Sequence, residues 1–314
     1  MRITIVGLGV LGTSLGLGLK SATTDIPVTG HDPDPVRVSR AKRLGAIDGS
    51  HWNLVSACRE ADLIVLDLPF AEVAPTLAAL REDLKEGAVI VDTLPLKVPV
   101  LEVARQTLPA GTAFIGGHVV APALGLGQPE PSAELLRGAR FLLVIPEEVA
   151  AEAADVAANF AVAVGATPHF VDAHEHDGLA AATAQLPHLG ALALANAIEG
   201  APGGREHPQF AGPELTALAA LIGDESAQPA AMLLSNGANL LLRLDGYIAE
   251  LQALRALLAS EDAEGLAARM AAAHAAAAHW SGQGEEGAER PATGSIWRTM
   301  LFGGRERGQG RPRG

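Results

Sequence analysis

Residues 3–12 read Ile3-Thr4-Ile5-Val6-Gly7-Leu8-Gly9-Val10-Leu11-Gly12, an apolar, β-branched run that leads into glycines at the first, third and sixth positions of a turn. This run predicts a buried strand, and Thr13 to Lys20 predicts a helix after the turn. In such a unit Gly7 permits the tight turn, Gly9 lets a pyrophosphate approach the backbone, and Gly12 lets the helix pack closely on the strand. All six residues of the turn are therefore predicted to bind a dinucleotide.

Asp32 follows the next apolar run, about twenty residues past the glycine turn. A carboxylate there accepts hydrogen bonds from the adenosine ribose and repels a 2′-phosphate. The stretch from His31 to Asp34 adds a second acid and no arginine, which favours NAD over NADP. The alternative is a glycine-rich strand–helix turn that binds no dinucleotide.

Composition limits the class of protein. The 314 residues suit two domains that each bury a core, and 48% of them are hydrophobic while only 4% are aromatic. The net charge of −13 argues against a nucleic-acid partner, because the phosphates would be repelled. The single cysteine, Cys58, excludes an internal disulfide and fits a reducing cytoplasm.

The N-terminal sequence shows no signal peptide. Ala180 to Ala197 is the most apolar stretch, but Gln185, Pro187 and His188 interrupt it, so no stretch is expected to reach the roughly 20 residues that span a bilayer. We therefore expect a soluble, cytoplasmic protein that contacts no membrane.

Hydrophobic periodicity divides the chain. Up to residue 172, short apolar runs alternate with amphipathic segments, which predicts a Rossmann-type, doubly wound parallel sheet. The predicted strands are Ile3–Val6, Pro27–Gly30, Leu63–Leu66, Val89–Val91, Ala113–Ile115, Phe141–Ile145 and Thr167–Val171. The main predicted helices are Pro35–Leu44, Glu147–Val164, Glu175–Ile198, Glu214–Leu221, Ala227–Ser260 and Glu261–His279.

We accordingly predict a dinucleotide-binding domain over residues 1–172, an all-helical domain over 173–280 and a flexible tail over 281–314. The long helices are too apolar to be solvated on every face. They should pack on each other and across a homodimer interface.

Two polar segments follow predicted strands, where a doubly wound sheet binds its ligands. In the segment Leu66–Phe70, a turn led by Leu68 and Pro69 should run beneath the dinucleotide. The segment Asp92–Lys97 ends the fourth strand, and Thr93 is its candidate cofactor contact.

A third such segment, Ile115–Pro122, places His118 after two glycines. Oxidation of an alcohol needs a base for the hydroxyl proton, and imidazole, with an ordinary pKa of about 6.5, suits that role. His118 is therefore the candidate catalytic base. The alternative is a histidine that only bonds a loop carbonyl.

A second histidine cluster opens the helical region. His174 and His176 are two residues apart, and no further ligands match zinc spacing, so no metal site is predicted. His176 and Asp177 are expected to cap the helix start. His188 lies about three turns further on and can share their face, while Pro187 should kink the helix.

Together these motifs resemble the prephenate/arogenate dehydrogenase family. The residues that carry the resemblance are Gly7–Leu15, Gly45–Asp48, Leu68–Pro69, Gly116–His118, His176–Asp177, Leu186–His188 and Asn236–Leu257. The resemblance implies a dinucleotide domain followed by a helical dimerisation domain. It also implies oxidative decarboxylation of a cyclic carboxylate, prephenate or arogenate, with loss of a hydride from C4 and of carbon dioxide.

By the same resemblance, His118 binds and deprotonates the C4 hydroxyl, and His188 is a second catalytic residue that lines the substrate pocket. Gln185 replaces the first histidine of the family's His-Leu-Pro-His form and is taken as a substrate contact. The family's serine is absent from Asp92–Lys97. Its carboxylate-binding arginine is absent from Gly212–Gly223.

Arg205 or Arg243 could replace the missing arginine, or each could be a solvated surface residue. Two other functions remain open at this stage. One is a β-hydroxyacid or imine-type reductase acting on another substrate. The other is a non-catalytic NAD-binding protein, an interpretation that draws on the missing serine and arginine and on the apolar island around Trp297.

Overall fold

The structure is a computed structural model. It describes residues 1–23, 25–121, 130–200, 211–223 and 230–280. Arg205 and the predicted tail over 281–314, with Trp297, lie outside the described residues.

Eight strands form one sheet in the order β3-β2-β1-β4-β5-β6-β7-β8. Their bounds are β1 Ile3–Val6, β2 Val28–His31, β3 Gly49–Ser50, β4 Leu63–Leu66, β5 Val89–Asp92, β6 Ala113–Val120, β7 Arg140–Val144 and β8 Thr167–Phe170. All neighbouring pairs are parallel except β6 and β7. The predicted Rossmann-type architecture is confirmed, with one antiparallel pair that the sequence did not predict.

Strand β6 extends further than predicted. It was expected to end at Ile115, but it continues to Val120 because its second half pairs antiparallel with β7, His118 lying opposite Leu142. Its first half pairs parallel with β5. His118 therefore lies within a strand and not in a turn after one, and ladder hydrogen bonds hold its backbone.

Twelve helices are described in these ranges. Their bounds are α1 Val10–Ala22, α2 Pro35–Leu44, α3 Leu54–Cys58, α4 Val73–Leu80, α5 Val98–Thr107, α6 Ala151–Ala163, α7 Ala173–Ala180, α8 Leu186–Glu199, α9 Pro213–Ile222, α10 Ala230–Ser235, α11 Gly237–Ala259 and α12 Ala263–Trp280.

The helix predicted from Glu175 to Ile198 contains a π-helical turn, Ala181–Gln185, between α7 and α8. Pro187 lacks an N–H and its ring crowds the preceding turn, so the wider turn accommodates it without ending the helix. The kink expected at Pro187 is thus replaced by a local widening of the helix. It places Gln185 at the end of the widened turn, one turn before His188.

The helical stretch Ala173–Glu199 is 27 residues long, and its most apolar 18 consecutive residues have a mean hydropathy of 1.2. By length and composition alone it could cross a membrane, so the expectation that no stretch is long enough was wrong. The error arose because the polar residues at 185–188 do not interrupt the helix. One such helix is weak support for a membrane span, since core helices of soluble proteins pass the same test.

Two apolar clusters cover the two faces of the sheet. In β4, Leu63 and Val65 belong to one cluster, while Ile64 and Leu66 belong to the other. This alternation is the period-two pattern of a strand that is buried on both sides. The first cluster packs under α1 and α6, and the second under α3, α4 and α5.

The chain divides into two compact units, Met1–Tyr247 and Ile248–Gly314. The first contains the sheet and the helices up to α10. In the described part of the second, Arg269 in α12 pairs with Glu250 in α11. The boundary at residue 172 stays a prediction.

Candidate active site

The glycine turn connects β1 to α1 with little free space beneath it. Gly7 has φ 93°, and a Cβ there would lie 1.9 Å from the Asp67 carbonyl oxygen, so only glycine fits. A Cβ at Gly12 would lie 2.1 Å from the Gly7 carbonyl oxygen. At Gly9 a Cβ would meet only Asp67 Oδ2, at 3.6 Å, so the turn is open at the position where a pyrophosphate would approach.

Asp32 is buried at the carboxyl end of β2. Its Oδ2 accepts a hydrogen bond from Leu8 N at 2.8 Å, and its Oδ1 accepts one from Asp34 N at 2.8 Å. The carboxylate is thus fixed beside the glycine turn, as a ribose-binding carboxylate would be. The residues present fit a dinucleotide.

Arg37 also faces this position, and the sequence analysis missed it. Its Nη1 lies 3.8 Å from Asp32 Oδ2 and its Nε lies 3.7 Å from Asp34 Oδ2. Arg37 lies just beyond the stretch from His31 to Asp34 in which the sequence shows no arginine. The i,i+3 spacing of Asp34 and Arg37 on α2 is the signal that could have found this arginine.

The segments after β4 and β5 meet at the same edge of the sheet. Thr93 Oγ1 donates to Asp67 Oδ1 at 2.9 Å, and Asp67 Oδ2 accepts from Gly12 N at 2.7 Å. Thr93 therefore reaches the glycine turn through Asp67. Leu68 is half-buried and Pro69 is exposed at this edge.

His118 belongs to a chain of three side chains. Its Nδ1 lies 2.9 Å from His176 Nε2, and His176 Nδ1 lies 2.8 Å from Asp177 Oδ1. A carboxylate only accepts, so His176 carries its proton on Nδ1 and its Nε2 accepts from His118 Nδ1. A neutral His118 then has an unprotonated Nε2, the form that a general base needs.

Electrostatics keep His118 neutral. Burial of the imidazole, with smaller contributions from Lys97 and His176, lowers the pKa of His118 to about 3. At neutral pH the ring is therefore available to accept a proton.

Lys97 and Asp92 form a fully buried ion pair next to this ring. Lys97 Nζ also donates to the Gly117 carbonyl at 2.5 Å, and Asp92 Oδ1 accepts from Gly117 N at 3.0 Å. Burial raises the pKa of Asp92 and lowers the pKa of Lys97, while their mutual attraction opposes both shifts. The pair bonds to both the N–H and the carbonyl of Gly117, and so fixes the backbone next to His118. From the sequence, this segment was singled out for Thr93 and for its missing serine, and the Asp92–Lys97 pair was not predicted.

Asp177 caps a different helix from the one expected. It accepts from Lys97 N at 2.7 Å and Val98 N at 2.9 Å, at the start of α5. The helix that contains it is capped by Asp172, which accepts from His174 N at 2.8 Å. The prediction that His176 and Asp177 cap their own helix was wrong, because α7 begins at Ala173 and they lie in its interior.

A buried amide network continues from Asp177. Asn236 Nδ2 donates to the Asp177 carbonyl at 2.9 Å and to Gln185 Oε1 at 2.7 Å. Gln185 Nε2 is buried and has no hydrogen-bond partner among the described residues. His188 is also buried, and its Nδ1 lies 3.3 Å from the Leu221 carbonyl. Gln185 thus brings an unused donor to the region that the histidines occupy.

Among the described residues, none of the arginines considered as a carboxylate partner lies beside Gln185 and His188. Helix α9 contains none, Arg243 is exposed on α11, and Arg205 lies outside the described residues. No group of three or more histidine, cysteine or acidic side chains that could hold a metal ion occurs in the part of the chain that the structure describes.

The sheet order, the glycine turn and the adjacent imidazole chain define a class of protein, the dehydrogenases with a Rossmann-type nucleotide-binding domain. Two family models match the chain, the prephenate dehydrogenase nucleotide-binding domain over residues 15–169 and the prephenate dehydrogenase dimerization domain over residues 172–272. The chain belongs to the prephenate dehydrogenase family, as its motifs predicted.

Curated relatives agree with this assignment. The chain is 28% identical over 265 residues to a cyclohexadienyl dehydrogenase of Zymomonas mobilis, covering 84% of this chain and 90% of the relative. It is 29% identical over 275 residues to a prephenate dehydrogenase of Lactococcus lactis, covering 84% and 73%.

Solved structures confirm the fold. A prephenate dehydrogenase of Aquifex aeolicus, solved with hydroxyphenyl propionate and NAD+, matches with a TM-score of 0.75 at 21% identity, covering 89% of this chain and 98% of the other. An arogenate dehydrogenase of Synechocystis matches with a TM-score of 0.73 at 22% identity, covering 89% and 100%.

Proposed function

We propose that this chain catalyses the NAD-dependent oxidative decarboxylation of prephenate or arogenate in tyrosine biosynthesis, with His118 as the base. The observation that carries the proposal is the His118–His176–Asp177 chain, which lies at the same sheet edge as the glycine turn. The family assignment and the names of the relatives support it.

The dinucleotide would be held by the Gly7–Gly12 turn and by Asp32, with Leu68, Pro69 and Thr93 along the same edge. When bound, it supplies the two-electron acceptor of the oxidation. We propose NAD as the preferred form, because Asp32 is fixed by two backbone N–H groups and stays where a 2′-phosphate would have to lie. Arg37 provides one cation against the two acids Asp32 and Asp34.

His118 performs the proton transfer. Its Nε2 takes the proton of the substrate's C4 hydroxyl as the C4 carbon is oxidised and the ring carboxylate leaves as carbon dioxide. The resulting imidazolium keeps its Nδ1–H bond to His176, whose other nitrogen faces the Asp177 carboxylate. That carboxylate stabilises the positive charge while it exists.

Substrate contacts are proposed for Gln185 and His188. The Gln185 amide is held through its oxygen by Asn236, so its nitrogen stays free to donate to a substrate carboxylate. An amide is neutral, so this contact lacks the charge of the family's arginine. Arg205 stays a proposed further contact.

The larger organisation is proposed in the same way. The division at residue 172 would separate the sheet and helices α1–α6 from the later helices, and the 173–280 region would form a homodimer, as the description of the matched dimerization domain indicates. Helix α11 exposes Leu241, Leu242 and Leu251 along its length, which would suit such an interface. We propose a cytoplasmic enzyme, since the apolar stretch Ala173–Glu199 carries buried His176 and Asp177, and Asp177 accepts a hydrogen bond from Lys97 N at the start of α5.

The deciding experiment is an assay of reduced-cofactor absorbance with prephenate and arogenate, each with NAD and NADP. We expect turnover with at least one acid and a higher kcat/KM with NAD. The His118→Ala variant should lose turnover by about 10²-fold or more while it still binds NADH. Full activity of this variant, or no turnover with either acid in the wild type, would overturn the proposal.

A further inference from the structure

Asp67 puts a carboxylate directly against the glycine turn. It follows β4, and its Oδ2 accepts a hydrogen bond from Gly12 N at 2.7 Å. Its Oδ1 accepts from Thr93 Oγ1 at 2.9 Å. A Cβ at Gly9 would lie 3.6 Å from Asp67 Oδ2, so the carboxylate borders the open position of the turn.

This placement sets a negative group against a turn that attracts anions. The first N–H groups of a helix carry the positive end of its dipole and attract phosphates. Here one of them, on Gly12 in the first turn of α1, is already bonded to a carboxylate of the protein itself. A pyrophosphate that approaches the turn therefore meets a negative group that already occupies one of these donors, Gly12 N.

The surroundings resist ionisation of this carboxylate. Burial is the largest influence and raises the pKa of Asp67, and the neighbouring Asp32 raises it further. The hydrogen bonds from Thr93 and Gly12 lower the pKa, as does the charge of Arg37. Asp32 and Arg37 are the charged groups that act on Asp67, with opposite effects on its pKa.

We propose that Asp67 sets the affinity of the turn for the dinucleotide: its carboxylate competes with the pyrophosphate, so binding takes up a proton at Asp67 and weakens as the pH rises. The proposal rests on the proposed function in one respect only, that the turn binds a dinucleotide.

The test compares the wild type with Asp67→Asn by calorimetry, using NAD, ADP-ribose and adenosine from pH 6 to 9. Asparagine keeps the size and the acceptor for Gly12 N, so the turn should be preserved. The variant should bind NAD and ADP-ribose about ten-fold more tightly at the upper end of this range, equivalent to about 1.4 kcal/mol. Adenosine, which lacks the pyrophosphate, should bind both proteins equally.

Proton uptake on binding provides a second measurement. Titrations in two buffers of different ionisation enthalpy should show proton uptake with NAD, which Asp67→Asn should reduce. Asp83→Asn, which removes a carboxylate paired with Arg59 on the surface, controls for net charge and should bind like the wild type.

Equal NAD affinity and equal proton uptake in the wild type and Asp67→Asn would overturn the inference. A wild type that binds neither NAD nor NADP would instead overturn the proposed function. A gain for adenosine equal to that for NAD would show that the variant acts on the fold of the site and not on the pyrophosphate, and would also contradict the inference.

Discussion

His176 need not touch the substrate, yet its ring decides which nitrogen of His118 is unprotonated. Without it, His118 Nδ1 loses its acceptor and the ring can take the other tautomer. We expect His176→Asn to lower kcat by about 10- to 100-fold. KM for the acid and the affinity for NADH should change little.

His174→Asn is the matched control, because His174 is exposed on the same helix. It should retain the wild-type kcat. The positioning role of His176 would be refuted by a variant that changes KM alone, or that leaves the steady-state kcat unchanged.

At the residue scale, the sequence nominates single candidate residues but does not predict the contacts between them. The Gly-Gly-His motif pointed to His118, and the motif around Pro187 pointed to Gln185 and His188. The contacts that give them a role join residues far apart in sequence, as from His118 to His176 and from Asp177 to Lys97. No local pattern reports such pairs. Arg37 is the exception, since its spacing from Asp34 was visible.

At the scale of helices and strands, the cost of a Gly→Ala substitution can be compared at two glycines in different environments. Gly45 ends α2 with φ 77°, and no atom would lie within 4 Å of an added Cβ. Gly117 lies in β6, where a Cβ would be 2.2 Å from the Asp92 carbonyl oxygen and 2.7 Å from the Phe141 ring. Gly45→Ala should therefore cost only backbone strain, about 1 kcal/mol in the free energy of unfolding, with activity kept.

Gly117→Ala should cost more, about 3 kcal/mol, since the backbone of β5 cannot give way as a flexible side chain can. It should also lower kcat, because His118 is the next residue. Urea denaturation followed by circular dichroism measures both unfolding free energies. Equal losses for the two variants would contradict the assigned environments.

Most strands were predictable because each is a short apolar run with a turn signal after it. The C-terminal end of β6 was not, since its continuation depends on a partner strand of opposite direction about twenty-five residues away. Strand β3, only two residues long, has no periodicity to detect. The π-helical turn before Pro187 was likewise hidden, because a kink and a widened turn share one sequence signal.

For the molecule as a whole, the depressed pKa of His118 links stability to pH. The unfolded chain protonates this residue near its ordinary pKa of 6.5, whereas the folded chain does so only near 3. Between those values the unfolded state binds more protons, so the free energy of unfolding falls as the pH falls from 6.5 towards 3. Above pH 6.5 this contribution is constant.

We expect His118→Asn to flatten part of this dependence. Urea midpoints measured from pH 7.5 to 5 should fall less steeply in the variant than in the wild type. Parallel curves for the two proteins would show that other groups account for the acid sensitivity.

The carboxylate of Asp177 reaches out of α7 to cap α5, and this has a consequence for how such a chain can be recombined. Residues 1–172 contain the whole sheet and the glycine turn, and so resemble a domain that could be transferred to another protein. Transplanted onto another helical partner, they would keep the turn but lose the cap on α5 and the acceptor behind His118. Chimeras that join residues 1–172 to a different helical domain should therefore still bind the cofactor. They should not turn over the substrate, because catalysis needs the contacts that the helical domain supplies.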